Sequence, residues 1–166
     1  KKQLIQAKGG ELQPLKKTHQ RYADVFAKLG YPIDLTKHQF AVRKVISEKT
    51  QKIIGLSSKK FIGVAPFAAH RGKMYPLQFM KQVIAQLSNS GDYTVFLFGG
   101  GAAEIAQLDK LASDFKGVTN MAGKLSFTQE LELISNLDIM LAMDSGNGHL
   151  AALYDIEVLT IWGVTH

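Results

Sequence analysis

The chain has 166 residues, 46% hydrophobic and 20% charged, with no cysteine and a formal net charge of +6. That length supplies about one domain with its own core, and the composition excludes a disordered chain. The missing cysteine excludes a disulfide framework, a cysteine nucleophile and a thiolate metal site.

The charge is uneven along the chain. Residues 1–60 hold 14 Lys and Arg against four acids, whereas residues 61–166 hold six against ten. A nucleic-acid role read from the overall pI misdescribes most of the chain, and no nucleic acid is expected as a partner. Residues 1–59 read as a basic, largely helical lead-in. Leu15, Tyr22, Val25, Phe26 and Leu29 fall at helical spacing and predict an amphipathic helix over 14–29. Gly30 stands at its C′ position, and Pro32 blocks continuation. A second helix is expected over 48–56 with Ser47 as its N-cap.

From Lys60 the pattern is regular. Phe61–Ala65 is a short β-prone run ended by Pro66. Pro76–Ser90 is an amphipathic helix with Pro76 at N1. Tyr93–Phe98 is a strand, followed by Gly99-Gly100-Gly101 and a helix over 102–115. Val118–Met121 is a strand, and Ser126-Phe127-Thr128-Gln129 is a capping box opening a helix to Asn136. Asp138–Met143 is a strand, Ser145–Tyr154 a helix and Val158–Trp162 a last strand. The expected class is α/β: a Rossmann-like parallel sheet with helices on both faces over residues 60–166. Ligands bind such sheets off the carboxyl ends of the strands, so the loops there are the ones to read. No apolar run approaches the ~18–20 residues that span a bilayer.

The loop after the fourth strand reads Asp144-Ser145-Gly146-Asn147-Gly148-His149. Two glycines and small polar residues open a helix there, and its first free N–H groups suit a phosphate. Asp144 can accept hydrogen bonds from sugar hydroxyls, and His149 can donate to a phosphate. Equally, Asp144 or Ser145 caps the helix and His149 packs on the sheet. Lys73, on the loop after the first strand, either neutralises a diphosphate or is a solvated lysine. Gly99-Gly100-Gly101 begins a dinucleotide fingerprint, but Glu104 occupies the third glycine position. Glu104 contacts a ribose or serves as a helix-start acid. No His-Glu-x-x-His pair, phosphate-binding G-x-x-x-x-G-K-[ST] loop, G-x-S-x-G elbow or Asp-x-Asp pair occurs, so no metal site is expected.

Asp144-Ser145-Gly146-Asn147-Gly148-His149-Leu150-Ala151-Ala152 resembles the D-[ST]-G-x-x-H-L-A-A element of glycosyltransferase family 9, the heptosyltransferase-like enzymes. Lys73-Met74-Tyr75-Pro76 is similar to that family's K-x-W-P, with Tyr75 for Trp. The closing Trp162-Gly163-Val164-Thr165 resembles its [FW]-G-x-T. The order of elements agrees over about residues 60–166. The resemblance implies the carboxyl-terminal, donor-binding half of a GT-B enzyme, with the amino-terminal acceptor domain absent and the carboxyl end truncated. It implies inverting, metal-independent sugar transfer from a nucleoside-diphosphate sugar, with no further cofactor, to a lipopolysaccharide or related envelope glycolipid. Lys73 would meet the diphosphate, Asp144 the sugar, and Ser145, Gly146, Asn147, Gly148 and His149 the phosphate end. Glu104 would approach the ribose, and Leu125 would pack near the base. Ala68 and Ala69 stand where some members carry hydroxyl residues. No catalytic residue is expected in this stretch, because the acceptor-activating carboxylate belongs to the other domain. A cytoplasmic place is implied, with peripheral contact at the inner face of the bacterial inner membrane. The competing readings are another GT-B-like sugar-nucleotide enzyme, such as an epimerase, and a non-catalytic binding module with a basic front.

Overall fold

The structure is a computed structural model that describes residues 16–163. Residues 14 and 15, which open the first expected helix, and Val164 and Thr165 of the closing element lie outside the described residues. The chain divides into two compact units, one ending at Gln39 and one beginning at Phe40.

In the first unit, α1 spans Thr18–Lys28. Its end is set by glycine. Gly30 takes φ 87°, a left-handed conformation that costs a residue with a Cβ far more. This lets Tyr31 N–H reach the Phe26 carbonyl at 2.9 Å and Gly30 N–H the Ala27 carbonyl at 3.1 Å. These two bonds satisfy carbonyls the helix would otherwise leave orphaned. Lys16 pairs with Asp24 at 2.7 Å on the exposed surface.

In the second unit, residues 40–59 lead into the sheet. Arg43 Nε donates to the Ser135 carbonyl at 2.8 Å, and Lys44 N–H to Ser135 Oγ at 3.1 Å. The helix α2, Glu48–Ile54, starts at Ser47, whose hydroxyl accepts from Thr50 N–H as expected of an N-cap. Basic residues 43, 44, 49 and 52 therefore belong to the same unit as the acidic sheet. Charge reports solvation, and packing is decided by the hydrogen-bonding and apolar residues between the lysines.

The sheet has five parallel strands: β1 Lys60–Ala65, β2 Tyr93–Leu97, β3 Val118–Asn120, β4 Ile139–Met143 and β5 Glu157–Ile161. Their order is β3-β2-β1-β4-β5. Between them run α3 Leu77–Ser90, α4 Gly101–Ser113, α5 Phe127–Ile134 and α6 Gly146–Leu153. This is the Rossmann-like α/β class expected from the sequence. Alternate strand residues feed two cores. Val64, Val95 and Leu97 pack with Met80 and Ile84 of α3 and Leu108 and Leu111 of α4. Ala65, Phe96 and Ala142 pack with Leu133 and Ile134 of α5 and Ala151 of α6. Each fully buried Leu, Ile, Phe or Met contributes about 1.5–3 kcal/mol, so these faces outweigh any single cap.

Local signals set the ends. Ser126 and Gln129 form the capping box of α5, with both reciprocal bonds present. Gly91 ends α3. Pro76 sits at the N-cap rather than at N1, because its carbonyl already accepts from Phe79 and Met80 N–H.

One carboxylate ties the lead-in to the sheet. Glu132 of α5 accepts from Ser47 N–H at 3.0 Å, from Ser47 Oγ at 2.8 Å and from the buried Thr50 hydroxyl. The Thr50 hydroxyl, then the Ser47 donors, hold its pKa below the ordinary carboxylate value. A lowered folded pKa stabilises the fold above the unfolded pKa, and that contribution is lost as pH falls through the folded value. Urea midpoints of wild type and Glu132→Gln are expected to differ at neutral pH and to converge below about pH 4. A gap that stays constant with pH would contradict this.

Candidate functional site

Strand β1 lies between β2 and β4. The chain leaves β1 toward β2 and β3, then returns to the other side of β1 as β4 and β5. The loops at the carboxyl ends of β1 and β4 therefore diverge to opposite faces and leave a crevice, the usual ligand position in such sheets.

Both loops bring charge to it. The β1 loop ends in a short 3-10 turn, Arg71–Lys73. Lys73 Nζ meets Asp144 Oδ2 at 2.5 Å, across 71 residues of chain. Their side chains are 29% and 16% exposed, so the pair is partly withdrawn from water. His149 Nε2 stands 3.6 Å from the other Asp144 oxygen, on an exposed side chain. Lys73 first, then His149, hold the Asp144 carboxyl below its ordinary value.

Asp144 is followed by Ser145, the N-cap of α6. Its backbone is extended, as a cap requires, yet its hydroxyl makes no capping bond. Among the described residues Ser145 Oγ is buried without a hydrogen-bond partner. The first N–H groups of α6, from Gly146 to Gly148, have no intrahelical acceptor by construction. Unspent donors and the positive end of the helix dipole thus face the same place as Lys73.

Two clefts meet at Ser145. The larger, about 310 Å³, runs from Phe67 and Ala68 past Gly99 and Glu104 to Asn147. Its volume is within the range of small-molecule sites, ~300–1,000 Å³. The smaller, about 160 Å³, lies between Asp144, His149, Thr160 and Trp162. Lys73, Asp144, Ser145, Asn147 and His149 thus gather at one crevice, with Gly146 and Gly148 in the first turn of α6. Glu104 also lines the larger cleft, and its carboxylate accepts from Gly100 N–H at 2.8 Å, serving its own helix start. Leu125 lies apart from both clefts and packs on the core beside α5 and α6. Among the described residues no group of three or more His, Asp or Glu could hold a metal ion.

The sequence reading missed two features. Glu130 of α5 receives the Asn147 side-chain amide at 2.8 Å. Gly163, just after β5, packs its backbone against the Lys73 turn. A Cβ there would lie 2.0 Å from the Gly72 carbonyl oxygen and 2.9 Å from the Lys73 Cα. The Trp-Gly element did carry a signal for the second feature. Nothing local marks the first.

A family model described as glycosyltransferase family 9 (heptosyltransferase) matches residues 11–166. Lipopolysaccharide heptosyltransferase 3 of Escherichia coli (strain K12) is 28% identical over 107 residues, 63% of this chain and 31% of that protein. The structure of E. coli ADP-heptose lps heptosyltransferase II is 26% identical, with a TM-score of 0.61 over 70% of this chain and 38% of that one. E. coli heptosyltransferase WaaC with ADP shares the fold, with a TM-score of 0.66 at 21% identity, over 95% of this chain and 49% of that one. The chain thus spans about a third of the curated relative's length.

Gly163→Ala must push the Lys73 turn aside, because backbone, not a flexible side chain, is in the way. The expected cost is about 1–3 kcal/mol, read as a lower urea midpoint. An unchanged midpoint would show that the contact between Gly163 and the Lys73 turn does not constrain the fold.

Proposed function

The chain belongs to glycosyltransferase family 9, and on that premise we propose that it is the donor-binding part of a heptosyltransferase-like enzyme. The donor is a nucleoside-diphosphate sugar, ADP-heptose or a close analogue, and the acceptor a lipopolysaccharide or related envelope glycolipid. The observation that carries this reading is the Lys73–Asp144 pair beside the α6 N-terminus, where Ser145 Oγ has no partner among the described residues.

Sugar transfer with inversion leaves negative charge on the departing diphosphate. Lys73, the α6 amides of Gly146, Asn147 and Gly148, and the Ser145 hydroxyl stabilise that charge. His149 adds a donor at the same end. Asp144 pairs with Lys73. When a diphosphate arrives, Lys73 exchanges one anion for another, and Asp144 becomes free to accept from sugar hydroxyls. The exchange keeps Lys73 paired in both states, which limits the desolvation cost of binding. No step in this scheme needs a metal. Glu104, which lines the larger cleft, approaches the ribose.

The share of the relatives that this chain spans supports a division of labour. A carboxylate outside these residues activates the acceptor, so this chain binds donor but does not turn it over. The basic excess of residues 1–60 supports contact with an anionic membrane surface, where each cation adds ~1 kcal/mol. Among the described residues no helix is long and apolar enough to cross a membrane.

The test is calorimetric titration with ADP. Lys73→Ala is expected to weaken ADP about tenfold or more, the size of a lost charged hydrogen bond. Equal affinity of wild type and variant would remove the diphosphate role, and turnover by this chain alone would remove the division of labour.

A further inference from the structure

Glu130 and Asn147 occupy the first turns of two different helices, α5 and α6. Asn147 lines the larger cleft together with Ser145 and Glu104. Its Nδ2 donates to Glu130 Oε1 at 2.8 Å, and among the described residues this is the one side-chain bond either residue makes. Among the described residues no cation pairs with Glu130. Burial pushes the Glu130 pKa above the ordinary value, and the Asn147 bond opposes that push. A half-buried carboxylate without a cation costs stability, so packing alone is a poor reason for it.

The bond has a chemical consequence. An ionised carboxylate only accepts, so the Asn147 amide must turn its NH2 end toward it. The carbonyl Oδ1 is then the end left for a ligand. A carbonyl oxygen next to a carboxylate repels phosphate oxygens and accepts from a hydroxyl. We propose that Glu130 is a positioning residue that fixes the Asn147 amide so that its carbonyl selects a hydroxyl of the donor sugar. This rests on the donor-site reading above and deepens it. Within one crevice, Lys73 and the α6 amides take the diphosphate, while Asp144 and the oriented Asn147 carbonyl take hydroxyls.

Calorimetric titration with two probes, ADP and ADP-heptose, separates the roles. Lys73→Ala should weaken both. Glu130→Ala should weaken ADP-heptose about fivefold, as expected of one hydrogen bond, and leave ADP within about twofold, and Asn147→Ala should weaken ADP-heptose by a similar factor. The double variant should lose no more than either single one, because the two residues act through one bond. Glu130→Gln keeps an acceptor at the same place and should restore ADP-heptose affinity to within about twofold of wild type. A merely structural role would weaken ADP as well and would be indifferent to which end of the amide is free. If Glu130→Ala does not fold, Asn147→Ala and Glu130→Gln still decide the matter. Equal losses for ADP and ADP-heptose, no loss for either, or additive losses in the double variant would overturn the inference while leaving the donor site standing. If Lys73→Ala weakens neither probe, the donor-site reading falls and this inference falls with it.

Discussion

The position of β1 between β2 and β4 governs what the rest of the molecule can do. Parallel strands need long crossovers, and each crossover here is a helix that must cover one face. Because β1 is hydrogen-bonded on both sides, the chain has to reverse its direction of growth beside it. The crevice between the β1 and β4 loops follows from that reversal. Lys73 and Asp144, 71 residues apart, meet because both leave the same pair of adjacent strands. Gly163 closes the arrangement from the β5 side by laying bare backbone against the Lys73 turn. Three strand ends therefore hold one lysine in place.

The electrostatics of the crevice are set by scarcity. Residues 61–166 carry six cations against ten acids, so a cation in the right loop is uncommon there. A partly exposed ion pair adds little to stability. Its interest lies in pre-organisation: the pair with Asp144 holds Lys73 partly withdrawn from water. On the proposed function a diphosphate displaces an anion already present, and the N-terminus of α6 supplies further donors that need not move. A site assembled in this way stabilises developing charge without reorganising at the moment of reaction.

Two carboxylates of α5 show how position decides chemistry. Glu130 and Glu132 are two residues apart and face different neighbours. Glu132 collects three donors from residues 47–50, and its pKa falls. Glu130 meets one amide in a partly buried position, and its pKa rises. The first fastens the lead-in to the sheet unit. The second holds Asn147, which lines the cleft that the donor is proposed to occupy. One short helix thus links the basic lead-in to the start of α6, through side chains pointing in different directions.

Much of this was legible in residue order. The alternation of apolar runs and amphipathic helices announced the α/β class. Ser47 and the Ser126–Gln129 box marked helix starts, and Gly30 marked a helix end, because caps act within a few residues. Lys73 and Asp144 stood out as polar residues at strand ends, and the elements around them carried the family resemblance. What residue order did not contain is which strands become neighbours. That choice brought Lys73 to Asp144, Glu130 to Asn147 and Gly163 to the Lys73 turn. It also drew residues 43–52 into the sheet unit despite their charge. Caps and periodicity are local and can be read from spacing. Pairing across the sheet is decided by how two apolar faces are buried at once, and only the folded chain resolves it.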